Sequence, residues 1–266
     1  RYQALPPLVH PTGCNGQQTA GVLVVMGQAS EGSLATAEAS QGWPLVLEGQ
    51  LDVLNVLWPQ LRELNHNPLV SFCHNSDRID PAAADRLGAF SSLNPEVALI
   101  TSDETLQWSS DPQQPPGNPQ YRSALTPWRV LSRGAIGGLV SIRLKTLLTL
   151  ELPSQRRCLH NLLLDLSLQL LAQQASIQHL REVLLSREQQ RNPSIPDVAC
   201  PRDRLAFSQE QSDELLAIVR NRSQWMLAPG ASIHPHPNWL GCLKIQWTPP
   251  RQTLVSILIP FRDKVN

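Results

Sequence analysis

The chain has 266 residues, which is enough for one sizeable hydrophobic core or for one core with an appendage. Lysine plus arginine and aspartate plus glutamate both number 22, so the formal net charge is zero. Proteins whose main partner is nucleic acid or an anionic membrane usually carry a basic face, and this composition indicates neither partner. No apolar run reaches the roughly 20 residues that a membrane-spanning helix needs.

The cysteines are odd in number, widely scattered and without a C-x-x-C spacing: Cys14, Cys73, Cys158, Cys200 and Cys242. This pattern is typical of reduced thiols rather than of a disulfide framework or a zinc site. We therefore expect a cytoplasmic protein. Association with the inner face of a membrane is expected only through regions outside these 266 residues. Because the first residue is Arg1, we also expect the chain to be cut from a longer one.

The first quarter of the chain predicts the start of an α/β unit. Residues 1–20 have no hydrophobic period and are interpreted as a linker or tail. The β-branched run "GVLVVMG" at 21–27 predicts a buried strand, and "SLATAEASQ" at 33–41 is compatible with a helix. "WPLVLEG" predicts a second strand, and the apolar spacing of 51–64 predicts a helix that Pro59 must begin or kink.

The alternation continues through the middle of the chain. Strands are predicted at 68–73 and 96–104, with a helix at 82–93 between them and a Pro-rich loop at 109–120 after them. An alternation of this kind indicates a mostly parallel sheet with helices on both faces. Ligands of such sheets bind beyond the carboxyl ends of the strands. The polar turns after Cys73 and after Ile100 are therefore where we expect a functional site.

The last third divides less regularly. An amphipathic helix is predicted at 159–174, and residues 191–252 are interpreted as a helical and Pro-rich connector. Within this connector, 208–222 predicts a helix with a Ser208 cap, and "APGASIHPHPNWLGCLKIQW" at 228–247 predicts an irregular segment. A metal site at "HPHPNW" is the weaker interpretation, because no further cluster of ligands accompanies it.

The stretch "FCHNSDRIDPAAADRLGAFSSLNPEVALITSDE" at 72–104 resembles the middle of a family 2 glycosyltransferase of the bacterial polysaccharide-assembly type. In that family a strand ends in a D-x-D-D cluster, an apolar residue and a proline open a helix, and a later strand ends in S-D-E. Ile79 and Pro81 fall in register with the helix opening, and Asp103 and Glu104 match the final acids.

Further motifs follow in the family's order. "YRSALTPWRVLSRGAIGGLVSIRLKTLL" (121–148) is similar to its loop with a T/S-P and a Gly-bearing strand. "LLDLSLQLL" (163–171) resembles its D-x-D-L-x-L-R-L helix, and "IQHLREVLLSRE" (177–188) its closing strand. "ASQGWPLVLEG" (39–49) resembles its S/A-Q-x-x-P turn, so the match spans about residues 21–190.

The two ends of the chain resemble one another and the family's opening strand, V-S-I-I-I-P-T-x-D/N. "LVSILIPFRDK" (254–264) is the stronger counterpart, and "GVLVVMGQAS" (21–30) is the weaker one. We therefore expect residues 253–266 to be the first strand of a second, truncated transferase domain, and residues 21–190 to be a first domain with degenerate motifs.

The resemblance implies a GT-A-like fold, that of nucleotide-diphospho-sugar transferases, and an activity. A sugar would pass from a nucleotide-sugar donor to a glycan or lipid-linked acceptor in the synthesis of a surface polysaccharide. A Mg²⁺ or Mn²⁺ ion held by the D-x-D oxygens would neutralise the departing diphosphate. A separate carboxylate at the head of the D-x-D-L helix would act as general base on the acceptor hydroxyl.

Several positions depart from the family pattern. Aligned on Pro81, the D-x-D positions are His74, Asn75 and Ser76, and only the following Asp77 is acidic. The position of the base is Leu163, and Asp165 matches the second, more structural acid. The Arg of the helix motif is Gln169, and Leu185 and Ser186 stand where the closing strand usually has H-W.

The resemblance assigns candidate roles residue by residue. Its donor-binding candidates are His74, Ser76, Asp77, Asp103 and Glu104. His74 and Asp77 are also its metal-ligand candidates, and Asp165 is its catalytic candidate. Arg122 and Arg133 are its candidates for contact with the acceptor or a phosphate.

Each candidate has a structural alternative. The 74–77 stretch can be a turn held by side-chain to backbone bonds, and Asp103 and Glu104 can cap a strand end. Asp165 can be a satisfied structural carboxylate, and the two arginines can be surface residues. For the whole protein the alternatives are an inactive transferase-like module that scaffolds or binds acceptor, and an unrelated nucleotide-binding domain. The latter is disfavoured because no Gly-rich phosphate loop follows the first strand.

Overall fold

The structure is a computed structural model, and it describes residues 21–26, 43, 45–49, 54–74, 77–107, 119–121, 125–127, 130–131, 137–153, 158–188, 208–227, 229–237 and 242–247. The predictions for 1–20, 33–41, 253–266, Asn75, Ser76, Arg122 and Arg133 lie outside the described residues, as do residues 109–118 of the predicted loop and 191–207 of the predicted connector.

Strands and helices alternate along most of the described chain. The strands are β1 Val22–Met26, β2 Leu45–Gly49, β3 Leu69–His74, β4 Arg78–Ile79, β5 Leu99–Gln107, β6 Pro119–Gln120, β7 Val140–Arg143, β8 Ile177–Glu188, β9 Ser232–Pro235 and β10 Leu243–Gln246. The helices are α1 Leu54–Arg62, α2 Ala83–Leu93, α3 Leu144–Leu147, α4 Leu159–Ala172 and α5 Gln209–Arg222.

Within the described part of the chain, the first eight strands form one sheet in the order β2-β1-β3-β7-β5-β8-β4, with β6 paired to β5. β1 is parallel to β2 and to β3, and β5 is parallel to β8. β7 is antiparallel to both of its neighbours, β3 and β5. Five of the eight strands therefore run in one direction, which confirms the α/β class with a mostly parallel sheet and fits a GT-A-like fold.

Helices cover both faces of this sheet, and successive side chains of β1 point to opposite faces. Val22, Val24 and Met26 pack in the larger hydrophobic cluster, to which α1 and α4 also contribute. Leu23 and Val25 pack in the smaller cluster, to which α2 contributes. A strand buried on both faces appears in the sequence as a continuous apolar run, which is the pattern of 22–26.

Helix α5 and strands β9 and β10 pack on the same core as the sheet. Helix α5 contributes Leu215, Ile218 and Val219 to the larger cluster, beside the residues of α4. The predicted Ser208 cap is present as a capping box: the Ser208 hydroxyl accepts from the backbone N–H of Gln211, whose side chain accepts from the backbone N–H of Ser208.

The segment predicted to be irregular contains an antiparallel hairpin, so that prediction was wrong. β9 pairs with β10, and Ile233 and Leu243 are buried in the larger cluster. In β10 the apolar Leu243 and Ile245 alternate with Lys244, which is the period of a half-buried strand. The prolines around β9 obscured this short period in the sequence.

The described residues contain no helix with both the length and the apolar character needed to cross a membrane. Helix α4 is apolar on most of its surface because it lies between other elements of the core, where Leu162, Leu164, Leu166 and Leu168 are fully buried.

Candidate functional site

The carboxyl end of β3 leads into a turn that Asp77 closes. The backbone N–H of Asp77 donates to the carbonyl of His74 at 3.0 Å. The Oδ2 of Asp77 accepts from the backbone N–H of His74 at 2.9 Å. These two hydrogen bonds, one from the backbone and one to the Asp77 carboxylate, hold the turn. The carboxylate of Asp77 is fully buried.

Arg187, near the end of β8, forms a bidentate ion pair with Asp77. Its Nε lies 3.1 Å from Oδ1, and its Nη2 lies 3.2 Å from Oδ2. Its third nitrogen, Nη1, lies 3.5 Å from Oε2 of Glu104 in β5. The side chain of Arg187 is 20% exposed, whereas those of Asp77 and Glu104 are 0% and 2% exposed. Two acids from two separate motifs thus meet one guanidinium at the carboxyl edge of the sheet, where the parallel strands end.

Glu104 also accepts a hydrogen bond from the backbone just before β7. Its Oε2 accepts from the N–H of Gly138 at 2.8 Å, and the neighbouring Leu139 N–H donates to Oγ of Ser102 at 3.0 Å. Gly138 has φ +71°, and a Cβ there would lie 2.0 Å from the carbonyl oxygen of Ser102. Only glycine therefore allows the chain to approach β5 at this point.

Asp103, the other acid of the S-D-E motif, has a different partner. Its Oδ1 lies 2.9 Å from Nε2 of His179 in β8, and Nδ1 of His179 lies 2.8 Å from Oγ1 of Thr101. The side chains of His179 and Asp103 are 5% and 3% exposed. The pairing of β5 with β8 shifts register on both sides of Asp103, which separates its surroundings from those of Glu104.

Charges and burial determine the protonation of the residues around Asp77. Burial lowers the pKa of His74; Arg187 acts in the same direction, and Asp77 opposes it. Burial also disfavours the charged form of Arg187, but Asp77 and Glu104 outweigh that cost and raise its pKa. Arg187 is therefore a permanent cation, and His74 is neutral at neutral pH.

Asp165 lies on α4 in a separate group of residues. Its Oδ1 accepts from Nε of Arg222 at 2.7 Å and from Nε2 of Gln169 at 3.3 Å. Arg222 also donates from Nη1 to Oε2 of Glu151 at 2.6 Å. These contacts fit the structural alternative for Asp165, and its catalytic role stays a prediction.

The oxygens present do not fit the Mg²⁺ or Mn²⁺ ion that the resemblance implies. Both oxygens of Asp77 already accept from Arg187 or from His74, and a bound cation would lie against a guanidinium of the same charge. Across the described ranges, no group of three or more His, Cys, Asp or Glu side chains could hold a metal ion.

The structure thus brings Asp77 and Glu104 together, places His74 beside Asp77, and directs Asp103 to His179. Neither Arg187 nor Gly138 was predicted from the sequence as a site residue. A basic residue near the end of an otherwise half-buried strand was the available signal for Arg187. The Gly137–Gly138 pair before β7 was the signal for a close backbone approach.

Comparison with known proteins returned one kind of match. No protein-family model matches the chain, and no curated protein matches its sequence. Among solved structures it is similar to the crystal structure of S. aureus TarS residues 1–349, with 10% identity and a TM-score of 0.45, over 77% of this chain and 72% of that one. A likeness of this extent does not bear on the chemistry of the site.

Proposed function

We propose that the protein is a glycosyltransferase that moves a sugar from a nucleotide-sugar donor to a glycan or lipid-linked acceptor in the synthesis of a surface polysaccharide. The observation that supports this most is the meeting of Asp77 and Glu104 at Arg187. In the family that the sequence resembles, the turn after β3 and the end of the S-D-E strand both belong to the donor site. Their contact at the carboxyl edge of the sheet supports a donor site at that edge.

A second candidate function has its own supporting observation. Asp77 is fully buried and ion-paired, and Asp165 is buried against Arg222. Neither carboxylate is presented for metal binding or for proton abstraction from an acceptor. Residues 21–190 would then be an inactive transferase-like module, which binds acceptor or supports an active domain of the same protein.

Calorimetric titration of UDP- and GDP-sugars into the 266-residue chain, with and without Mn²⁺, tests the first function. A donor site at this edge predicts saturable heat for one of the donors. It also predicts tighter binding in the variant Glu104→Gln, which keeps the shape of the side chain and removes a negative charge that competes with an anionic donor for Arg187. Glu182→Gln is the matched control, because Glu182 pairs with Arg86 at the surface of the same sheet.

The result that contradicts the first function is the absence of heat for every donor from a chain whose melting transition shows that it is folded. That result favours the inactive module. A titration with polysaccharide fragments then tests acceptor binding by that module.

A further inference from the structure

We infer that Arg187 is the resident cation of this site: its guanidinium occupies the carboxylates that a divalent metal would need, and any ligand of this edge binds without metal. The inference rests on the proposed function for the location of the donor site, but the ion pair can be tested independently of it.

Both oxygens of Asp77 are engaged by protein donors. They accept from Nε and Nη2 of Arg187 and from the backbone N–H of His74. Parallel N–H bonds from one guanidinium to both oxygens of a carboxylate form a strong bidentate geometry. Because Asp77 is also fully buried, a metal ion would have to displace this guanidinium to bind both oxygens.

The charges of these side chains also disfavour a metal. Asp77 and Glu104 are the acidic side chains here, and Arg187 supplies a positive charge from within the protein. A divalent ion beside this guanidinium would be repelled at close range in a poorly hydrated place. The two carboxylates are therefore stabilised by the arginine, and a metal ion beside it is unfavourable.

The sequence of this turn differs from the family pattern in the same sense. Two positions where the family pattern has acids are His74 and Ser76 in this chain. The negative charge that would attract a metal is thus reduced at the same place where the chain supplies a fixed cation. The two differences are parts of one change, from a metal-binding turn to an ion-paired turn.

An anionic ligand at this edge would meet a guanidinium that is already engaged. All three nitrogens of Arg187 face Asp77 or Glu104, and one fifth of its side chain is exposed. Arginine binds phosphate oxygens well, but here two carboxylates already share its charge. A diphosphate would therefore bind weakly, and its affinity would not change with Mn²⁺ or EDTA.

Binding of Mn²⁺ to the 266-residue chain tests the inference. Electron paramagnetic resonance measures free Mn²⁺ directly, and a melting curve with and without Mn²⁺ gives a second measurement. We expect the wild-type chain to bind no Mn²⁺ and to melt at the same temperature in Mn²⁺ and in EDTA. Mn²⁺ binding that the variant Asp77→Asn abolishes would overturn the inference.

Removing the guanidinium provides the converse test. Arg187→Met should lower the melting temperature by about 10 °C, because it leaves the Asp77 charge buried and unpaired. The melting temperature of this variant should also rise when Mn²⁺ is added. If Arg187→Met folds and gains no response to Mn²⁺, Arg187 is not what excludes the cation and the inference fails. If Arg187→Met does not fold, the wild-type and Asp77→Asn measurements decide.

Two further variants serve as controls. Arg181→Met removes an exposed arginine of the same strand and should change neither the melting temperature nor Mn²⁺ binding. The double variant with Asp77→Leu and Arg187→Met replaces the whole pair with apolar groups and should recover most of the lost stability without responding to Mn²⁺. If no nucleotide-sugar binds under any condition, the proposed function fails. The arginine inference is still decided by Mn²⁺ and melting.

Discussion

The guanidinium of Arg222 in α5 donates from Nε to Oδ1 of Asp165 in α4, at 2.7 Å and across 57 residues of sequence. Asp165 is fully buried, and Arg222, which also pairs with Glu151, is 27% exposed. The pair joins helix α5 to helix α4, which carries the catalytic candidate predicted from the sequence. A buried carboxylate on a mostly apolar helix is tolerated here because a cation from α5 compensates its charge.

Replacement of Arg222 should destabilise the fold. Arg222→Met leaves Asp165 buried without its cation, and we expect the free energy of unfolding to fall by about 3–5 kcal/mol. Urea denaturation followed by circular dichroism measures the change. Glu151→Ala is the control: the Glu151 side chain is 79% exposed, so its loss should cost no more than about 1 kcal/mol. Equal effects of the two variants would show that Asp165 does not depend on Arg222.

Gly138 should not tolerate a side chain. In Gly138→Ala the new Cβ would lie 2.0 Å from the carbonyl oxygen of Ser102, at a φ of +71° that is itself strained for alanine. We expect a loss of more than about 3 kcal/mol of unfolding free energy, since clash and strain add.

The matched control for this variant is Gly230→Ala. Gly230 has φ +82°, but a Cβ there meets nothing within 4 Å. Only the backbone strain should remain, and it costs about 1–2 kcal/mol. If both glycines respond equally in the same denaturation assay, the close approach of β7 to β5 is not what requires Gly138.

Stability should depend on pH through His74. Its pKa is lowered in the folded protein from the ordinary 6.5, chiefly by burial, so the unfolded chain binds more protons there as the pH falls. The stability associated with neutral His74 is complete above the ordinary pKa and is lost as the pH falls below it. We expect the slope of unfolding free energy against pH between about 5 and 7 to become shallower in His74→Gln.

His66 offers the control for this measurement, since it is exposed in the segment between α1 and β3. His66→Gln should leave the slope of the wild type unchanged. A slope that is the same in wild type and His74→Gln would contradict the burial of a neutral imidazole at the end of β3.

The thiols of Cys73 and Cys158 should react slowly in the folded protein. Burial is the largest influence on both: it raises the pKa of Cys73, and it raises that of Cys158 to about 11. Because the thiolate is the nucleophile, Cys158 should be alkylated by iodoacetamide about 100-fold more slowly than a thiol at its ordinary pKa of 9.0. Mass spectrometry of the separate peptides gives each rate. Rates in urea that equal the native rates would contradict this protection.

Much of the fold follows from local patterns. The apolar runs at 21–27 and 68–73 predict buried strands, and in the structure both strands have a neighbour on each side in the sheet. Ser208 predicted the start of α5, because a side-chain cap and the residue three positions later are adjacent in sequence. The polar turn after β3 was predicted for the same reason: strand end, turn and helix opening are all local features.

Partners distant in sequence could not be predicted in this way. Arg187 meets Asp77 across 110 residues, and His179 meets Asp103 across 76. Both contacts depend on the pairing of β8 with β5, whose register shifts around Asp103. Hydrophobic patterns specify which residues form strands, but the order of strands and the irregularities between them arise only when the sheet assembles.

The partners of the acidic residues in the candidate site also depend on the tertiary structure. The sequence places an acid at position 77 and acids at 103 and 104, and it leaves open whether they face a metal, solvent or a basic residue. A carboxylate has the same identity in each case, and its role depends on what the fold brings within hydrogen-bonding distance. Here the fold brings Arg187 to Asp77 and Glu104, because β8 lies beside β5 and its pairing with β5 continues beyond Glu104 to Glu188.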